Sequence, residues 1–275
     1  MKGLLVQDVT PQHAMNLDTY LARVGYEGEA FADLATLRSL HRAHVTTIPF
    51  ENLDIQLGLP IDLALDALER KMVVGHRGGY CFEHNSLFLA ALTEFGFRVI
   101  SCEARVSDGA AVTPRTHMLL VVSIEDRQWL CDVGFGGSTP LGPVPLDGST
   151  VEQGGTRYRV EARDGFEVLQ ADAGEGWTDQ YVFEVSPREP IDFVVANWYT
   201  STHPESRFVK TLTAQLRTTS GCKVLRNLQW TERSAEGRVS REIRREELEG
   251  LLAVEFGLCF PPGTRFRAID GQSRS

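Results

Sequence analysis

The sequence predicts an α+β protein in which helices come first, an antiparallel sheet or barrel follows, and a small mixed α+β tail closes the chain. Three observations carry this. Apolar residues in the first third recur at three- and four-residue steps, the middle holds short β-rich runs with no helical pattern between them, and the last part mixes the two periods. Leu34, Leu37, Leu40 and His44 form the stripe of an amphipathic helix, which Ile48-Pro49 ends because the residue before proline avoids the α region. A second helix fits 63–72. A third fits 81–95, with Leu87, Phe88, Ala91, Leu92 and Phe95 inward and Gly96 as its stop. Strands are expected over 98–106, 117–124 and 128–133, the last two joined by a turn at Glu125-Asp126. Asp164-Gly165 marks a hairpin between 157–161 and 166–170. The stretch 136–154 reads as a long loop, a feature that compact domains reserve mostly for function. Strands follow over 208–216, 223–230 and 238–243. A helix over 246–256 carries glutamates in its first turn and Leu248, Leu251, Leu252 and Phe256 inward.

Composition narrows the function classes. At 275 residues with 42% apolar and 24% charged side chains, the chain buries a sizeable core without needing disulfides or metal. A net charge of −9 argues against nucleic acid, whose phosphates need clustered Lys and Arg. No apolar run reaches the roughly 18 residues of a membrane span. The opening residues 1–8 are broken by charge too early for a signal-peptide core. The five cysteines (Cys81, Cys102, Cys131, Cys222 and Cys259) form no CxxC pair and are odd in number, the pattern of reduced cytoplasmic thiols. Neither GxGxxG nor GxxxxGK[ST] occurs.

One cysteine keeps unusual company, in Arg77-Gly78-Gly79-Tyr80-Cys81-Phe82-Glu83-His84-Asn85. Two glycines allow a tight backbone approach, and the helix starts at Cys81, where unpaired amides and the positive dipole end favour a thiolate. Most cysteines are small buried hydrophobes, so the neighbouring pattern has to decide. A nucleophilic thiol needs a base, usually a histidine held by a third group. Among seven histidines, His41 and His44 lie on a helical stripe as packing or surface residues, and His13 is near a terminus. His76 and His203 fall in loops, and His84 follows Cys81 but lacks an evident orienting partner. His117 opens an apolar strand, and Asp132 ends the next. A tight turn would place them across from each other, with the carboxylate on Nδ1–H. The order Cys81, His117, Asp132 suits a thiol acyl-transfer triad. Arg77 reads more readily as a structural ion pair than as part of the site.

With these residues in place, the sequence resembles the arylamine N-acetyltransferase family of bacterial type. The segments that carry the resemblance are Arg77-Gly78-Gly79-Tyr80-Cys81, Ile48-Pro49-Phe50-Glu51-Asn52-Leu53, Thr116-His117-Met118, Cys131-Asp132-Val133-Gly134-Phe135-Gly136-Gly137, and the run from Thr200 to Phe208. It implies a helical bundle over 1–97 carrying the nucleophile, a β-barrel over 98–200 carrying the histidine and aspartate, and an α/β lid over 201–275, built around a cysteine-protease-like triad. It also implies ping-pong transfer of acetyl from acetyl-CoA to an aromatic amine, hydrazine or hydroxylamine, with no metal, no nucleic acid and no membrane, and with a homodimer left open. By the same resemblance Phe50, Phe135 and Phe208 line the acceptor pocket, Thr116 donates to the pantetheine arm, and Gly134 and Gly136 give CoA close backbone approach. Two enzymes stay open as rivals: an amide synthase on the same scaffold closing a macrolactam, and a transglutaminase-like cysteine hydrolase. A non-catalytic binding module is a third.

Overall fold

A computed structural model describes residues 14–29, 31–107 and 112–271; His13 and residues 1–8 lie outside them. The N-terminal part holds α1 (Leu17–Val24), α2 (Leu34–Thr47), β1 (Phe50–Glu51), α3 (Leu53–Leu57), α4 (Leu65–Leu68) and α5 (Cys81–Glu94). Asp33 caps α2 by accepting from the Thr36 amide at 2.8 Å, and Ile48 ends it in an extended conformation, as the following proline requires. The helix expected over 63–72 begins two residues later and runs on as a π-helical turn, Glu69–Val74. Lys71 in that turn bridges Asp54 and Glu83, each at 2.7 Å.

The middle is a nearly closed antiparallel sheet. Its strands are β2 (Arg98–Val106), β3 (Arg115–Ile124), β4 (Arg127–Cys131), β5 (Val144–Pro145), β6 (Val151–Gln153), β7 (Thr156–Arg163), β8 (Phe166–Asp172) and β9 (Thr178–Phe183). They are ordered β5-β4-β3-β2-β9-β8-β7-β6. The two ends meet where Gln153 exchanges hydrogen bonds with the backbone of Gly142, at 2.9 and 3.2 Å. The stretch expected to be one long loop therefore carries both edges of the sheet. Both hairpin turns fall where the sequence places them, with Ile124 paired to Arg127 and Arg163 to Phe166. β3 is buried on both faces: Met118, Leu120 and Val122 pack with α5, while Leu119 and Val121 fill the barrel. This double burial explains its unbroken apolar run.

After β9 come α6 (Pro190–Thr202), α7 (Arg207–Lys210), β10 (Thr213–Thr218), β11 (Gly221–Arg226), β12 (Gln229–Ser234), β13 (Gly237–Glu242), α8 (Leu248–Phe256) and α9 (Arg267–Asp270). Two expectations are corrected here. The strand expected over 208–216 opens as a helical turn, because Ser206 accepts from the Phe208 amide and caps it. The strand expected over 223–230 is two strands around a turn at Asn227, which adopts the positive φ of +50° that asparagine tolerates. β10 to β13 form a second sheet whose other edge is β1, pairing Phe50 with Gln215 and Glu51 with Ala214. α8 covers this sheet through Leu248, Leu251, Leu252 and Phe256. Among the described residues no helix is long and apolar enough to cross a membrane.

Candidate active site

Cys81 is the first residue of α5 and is 3% exposed. Tyr80 precedes it in an extended conformation, its amide donating to Glu83 at 3.1 Å. A Cβ at Gly78 would overlap the Pro49 carbonyl oxygen, so only glycine lets 49–51 run along the turn that presents the cysteine. The contact is sealed by Glu51 N–H donating to the Gly79 carbonyl at 2.7 Å. Arg77 stays out of the site. It binds Glu51 and Asp54, each at 2.8 Å, as a structural ion pair.

His117 and Asp132 meet at 2.6 Å, but through Nε2 rather than the Nδ1 expected. Nor are they directly opposite. The register pairs Leu120 with Cys131, so Asp132 lies beyond the last pair, at the level of Leu119. It reaches the imidazole diagonally, because His117 and Leu119 share a face. With Nε2 taken, Nδ1 is the nitrogen left for Cys81, whose side chain interacts with the ring. The Cys81 sulfur also lies 3.7 Å from the Thr116 carbonyl oxygen. The Thr116 hydroxyl donates to the Pro114 carbonyl at 3.5 Å.

Burial alone would discharge the imidazole. The Asp132 carboxylate, through charge and hydrogen bond, and the adjoining Cys81 side chain override it and lift the His117 pKa to about 10. Burial likewise opposes charge on Asp132, yet His117, Asn85 and the Gly134 amide hold its carboxyl below the usual range. Asn85 and Tyr181, which the sequence pattern does not single out, pack directly on this pair. Asn85 donates to Asp132 Oδ1 at 3.1 Å and to the Met118 carbonyl at 2.7 Å, and accepts from the Val133 amide at 3.2 Å. Its signal was its place one turn after Cys81 on the same helix. A Cβ at Gly134 would sit 2.8 Å from Cys81 Cα, so its bareness lets the aspartate loop close onto Cys81.

Aromatic rings wall the site on two sides. Phe135 and Tyr181 pack on His117 at 5.0 and 4.9 Å between centroids. Phe50 packs on Phe208 at 6.0 Å, and Phe208 on Tyr80 at 5.5 Å. Gly136 and Gly137 lie against Gln215, whose Oε1 accepts from the Gly137 amide. His84, for which the sequence offers no evident orienting partner, has two contacts. Nδ1 meets His44 Nε2 at 2.9 Å and Nε2 meets the Pro49 carbonyl at 3.1 Å, which leaves Cys81 to His117. His41 and His44 are wholly buried core residues.

Residues 33–262 match the family described as N-acetyltransferase. The arylamine N-acetyltransferase of Mycobacterium tuberculosis is 45% identical over 214 residues, which cover 74% of this chain and 75% of that protein. The chain belongs to the arylamine N-acetyltransferase family. The Salmonella typhimurium arylamine N-acetyltransferase superposes with a TM-score of 0.86 at 34% identity, over 92% of this chain and 97% of that one. The Mycobacterium marinum arylamine N-acetyltransferase solved in complex with CoA gives 0.84 at 35% identity, over 88% and 92%. Helical N-terminus, barrel-like sheet and C-terminal sheet with helices are thus the architecture of arylamine N-acetyltransferases.

Proposed function

We propose that the enzyme moves acetyl from acetyl-CoA to arylamines, arylhydrazines or arylhydroxylamines through an acetyl-Cys81 intermediate, in the cytoplasm, where its free thiols stay reduced. The observation that carries this is His117 set between Asp132 and Cys81. The Cys81 thiolate attacks the thioester carbonyl, and the amides of Cys81 and Phe82, which have no intrahelical partner, face the developing oxyanion. As the tetrahedral adduct collapses, its C–S bond to CoA breaks and the His117 imidazolium protonates the departing thiolate. The neutral ring then takes a proton from the attacking amine, the amide C–N bond forms, and Cys81 leaves as thiolate. His117 is again imidazolium, so protons balance over the cycle. Phe135, Tyr181, Phe50 and Phe208 keep water from the thioester, and Phe50 and Phe208 receive the acceptor ring. The Mycobacterium marinum relative is solved in complex with CoA, which supports acetyl-CoA as the donor here.

The test is incubation with acetyl-CoA alone. One CoA should be released per chain and one acetyl group found on the Cys81 peptide, discharged on adding an arylamine. A Cys81→Ser protein that still turns over, or an unmodified Cys81, would end the proposal.

A further inference from the structure

Three buried side chains outside the triad form a hydrogen-bonded line from α1 to the active-site turn. Tyr20 Oη meets His44 Nδ1 at 2.9 Å, His44 Nε2 meets His84 Nδ1 at 2.9 Å, and His84 Nε2 meets the Pro49 carbonyl at 3.1 Å. All three are at most 1% exposed. The carbonyl can only accept, so His84 Nε2 carries the hydrogen and its Nδ1 accepts. His44 Nε2 then donates, its Nδ1 accepts, and the tyrosine hydroxyl donates. Every hydrogen in the line points towards Pro49. Burial holds His84 at a pKa of about 4 and His44 well below its ordinary value, so both rings are neutral and no other arrangement competes.

The line ends where the acceptor wall begins. The Pro49 oxygen is gripped by His84 on one side and by the bare Gly78 on the other, and Phe50 is the next residue. The Phe50 ring lies 13° from parallel to the His84 imidazole at 6.2 Å, then leans on Phe208, which leans on Tyr80 beside Cys81. We propose that His44 and His84 are positioning residues that set Phe50 as the wall of the aromatic-acceptor pocket. This rests on the function proposed above. It assigns His44 and His84 to acceptor recognition and not to the attack on acetyl-CoA, which belongs to Cys81 and His117.

The experiment separates the half-reactions and compares an arylamine with hydrazine, which has no ring to seat. His44→Leu leaves His84 Nδ1 unpaired without touching Phe50. Cys81 acetylation and the KM for hydrazine should stay within about twofold, while the KM for the arylamine rises about tenfold. His44→Gln, which keeps a donor towards His84, should restore most of the loss. Should His44→Leu fail to fold, Tyr20→Phe removes only the first donor and should give the same ring-selective shift at about threefold. Equal shifts for both acceptors, or none, overturn the assignment while wild-type turnover leaves the functional reading standing. A wild-type enzyme that acetylates neither acceptor takes down both.

Discussion

The side-chain amide of Asn85 donates to Asp132 Oδ1 across 3.1 Å from a position one helical turn after Cys81. Cys81 and Asp132 are therefore tied to the same stretch of α5, although they are 51 residues apart in the chain and sit on different layers. Asn85 also holds the Met118 carbonyl and the Val133 amide, the neighbours of His117 and Asp132 in sequence. It fixes both partners of the His117–Asp132 pair relative to the helix.

Asn85→Ala should therefore lower the rate of Cys81 acetylation by on the order of 100-fold, the cost of a misplacement of about 1 Å. It should also destabilise the fold by about 1–3 kcal/mol, because buried backbone groups lose their partners. Single-turnover CoA release and urea unfolding would check both. A rate within twofold of wild type would remove Asn85 from the positioning scheme.

Arg77 precedes the two glycines of the cysteine turn, yet its guanidinium faces Glu51 and Asp54 and stacks over Phe260 at 4.7 Å. Glu51 is fully buried. Arg77→Met removes that carboxylate's guanidinium partner, leaving it the Leu53 amide at 2.6 Å, and should cost about 3–5 kcal/mol. The KM for acetyl-CoA should not move in the folded fraction. A raised KM with unchanged unfolding midpoint would instead make Arg77 a ligand-binding residue.

The buried histidines give stability an asymmetric pH profile. Burial pushes His41 and His84 down to about 4 and His44 well below 6.5, so the unfolded chain binds protons that the folded one refuses. Their contribution is whole above pH 6.5 and is lost as the pH falls towards 4. His117, lifted to about 10, works the other way: its contribution is whole below 6.5 and is lost between 6.5 and 10. Asp132, held low, contributes above the ordinary carboxylate range and loses that only in stronger acid. Each proton changes stability by about 1.4 kcal/mol per pH unit, so three histidines outweigh one and the acid limb is the steeper. Urea midpoints should drop more from pH 6.5 to 5 than from 6.5 to 8. A level midpoint down to pH 5 would contradict the neutral histidine line.

Much of this was legible because local and tertiary demands agree. Leu34 to His44, the run from Cys81 to Phe95, and the two hairpin turns each carry a period or turn residue that the packing then uses. α6 went unread although Glu189, Pro190 and Asp192 mark its start, because its exposed Ile191, Val195 and Trp198 blur the stripe. The meeting of His117 with Asp132 was legible by residue type and order, but the ring nitrogen was not. That choice follows from the strand register, which places Asp132 diagonally from His117. The partners of His84 were hidden for a different reason: His44 and Pro49 are distant in sequence, and only the packing of α2 on α5 joins them.

The sharpest consequence concerns the tautomer of His117. Asp132 Oδ1 already accepts from Asn85 at 3.1 Å and from the Gly134 amide at 2.9 Å, so that position must remain an oxygen. In Asp132→Asn the amide NH2 is therefore forced into the Oδ2 position, facing His117 Nε2. A donor there demands a bare Nε2, which moves the ring hydrogen to Nδ1, the side facing Cys81. The imidazole can then no longer take a proton from the thiol or from the amine. The carboxylate charge that favours the protonated ring is lost as well, and only the Cys81 side chain is left to oppose burial. Cys81 acetylation should fall by on the order of 10⁴-fold, as when a triad carboxylate becomes an amide. Because both hydrogen bonds to Oδ1 survive, the protein should still fold, with its near-UV circular dichroism intact. A folded Asp132→Asn protein acetylating Cys81 within tenfold of wild type would show that the carboxylate does not set the state of the ring.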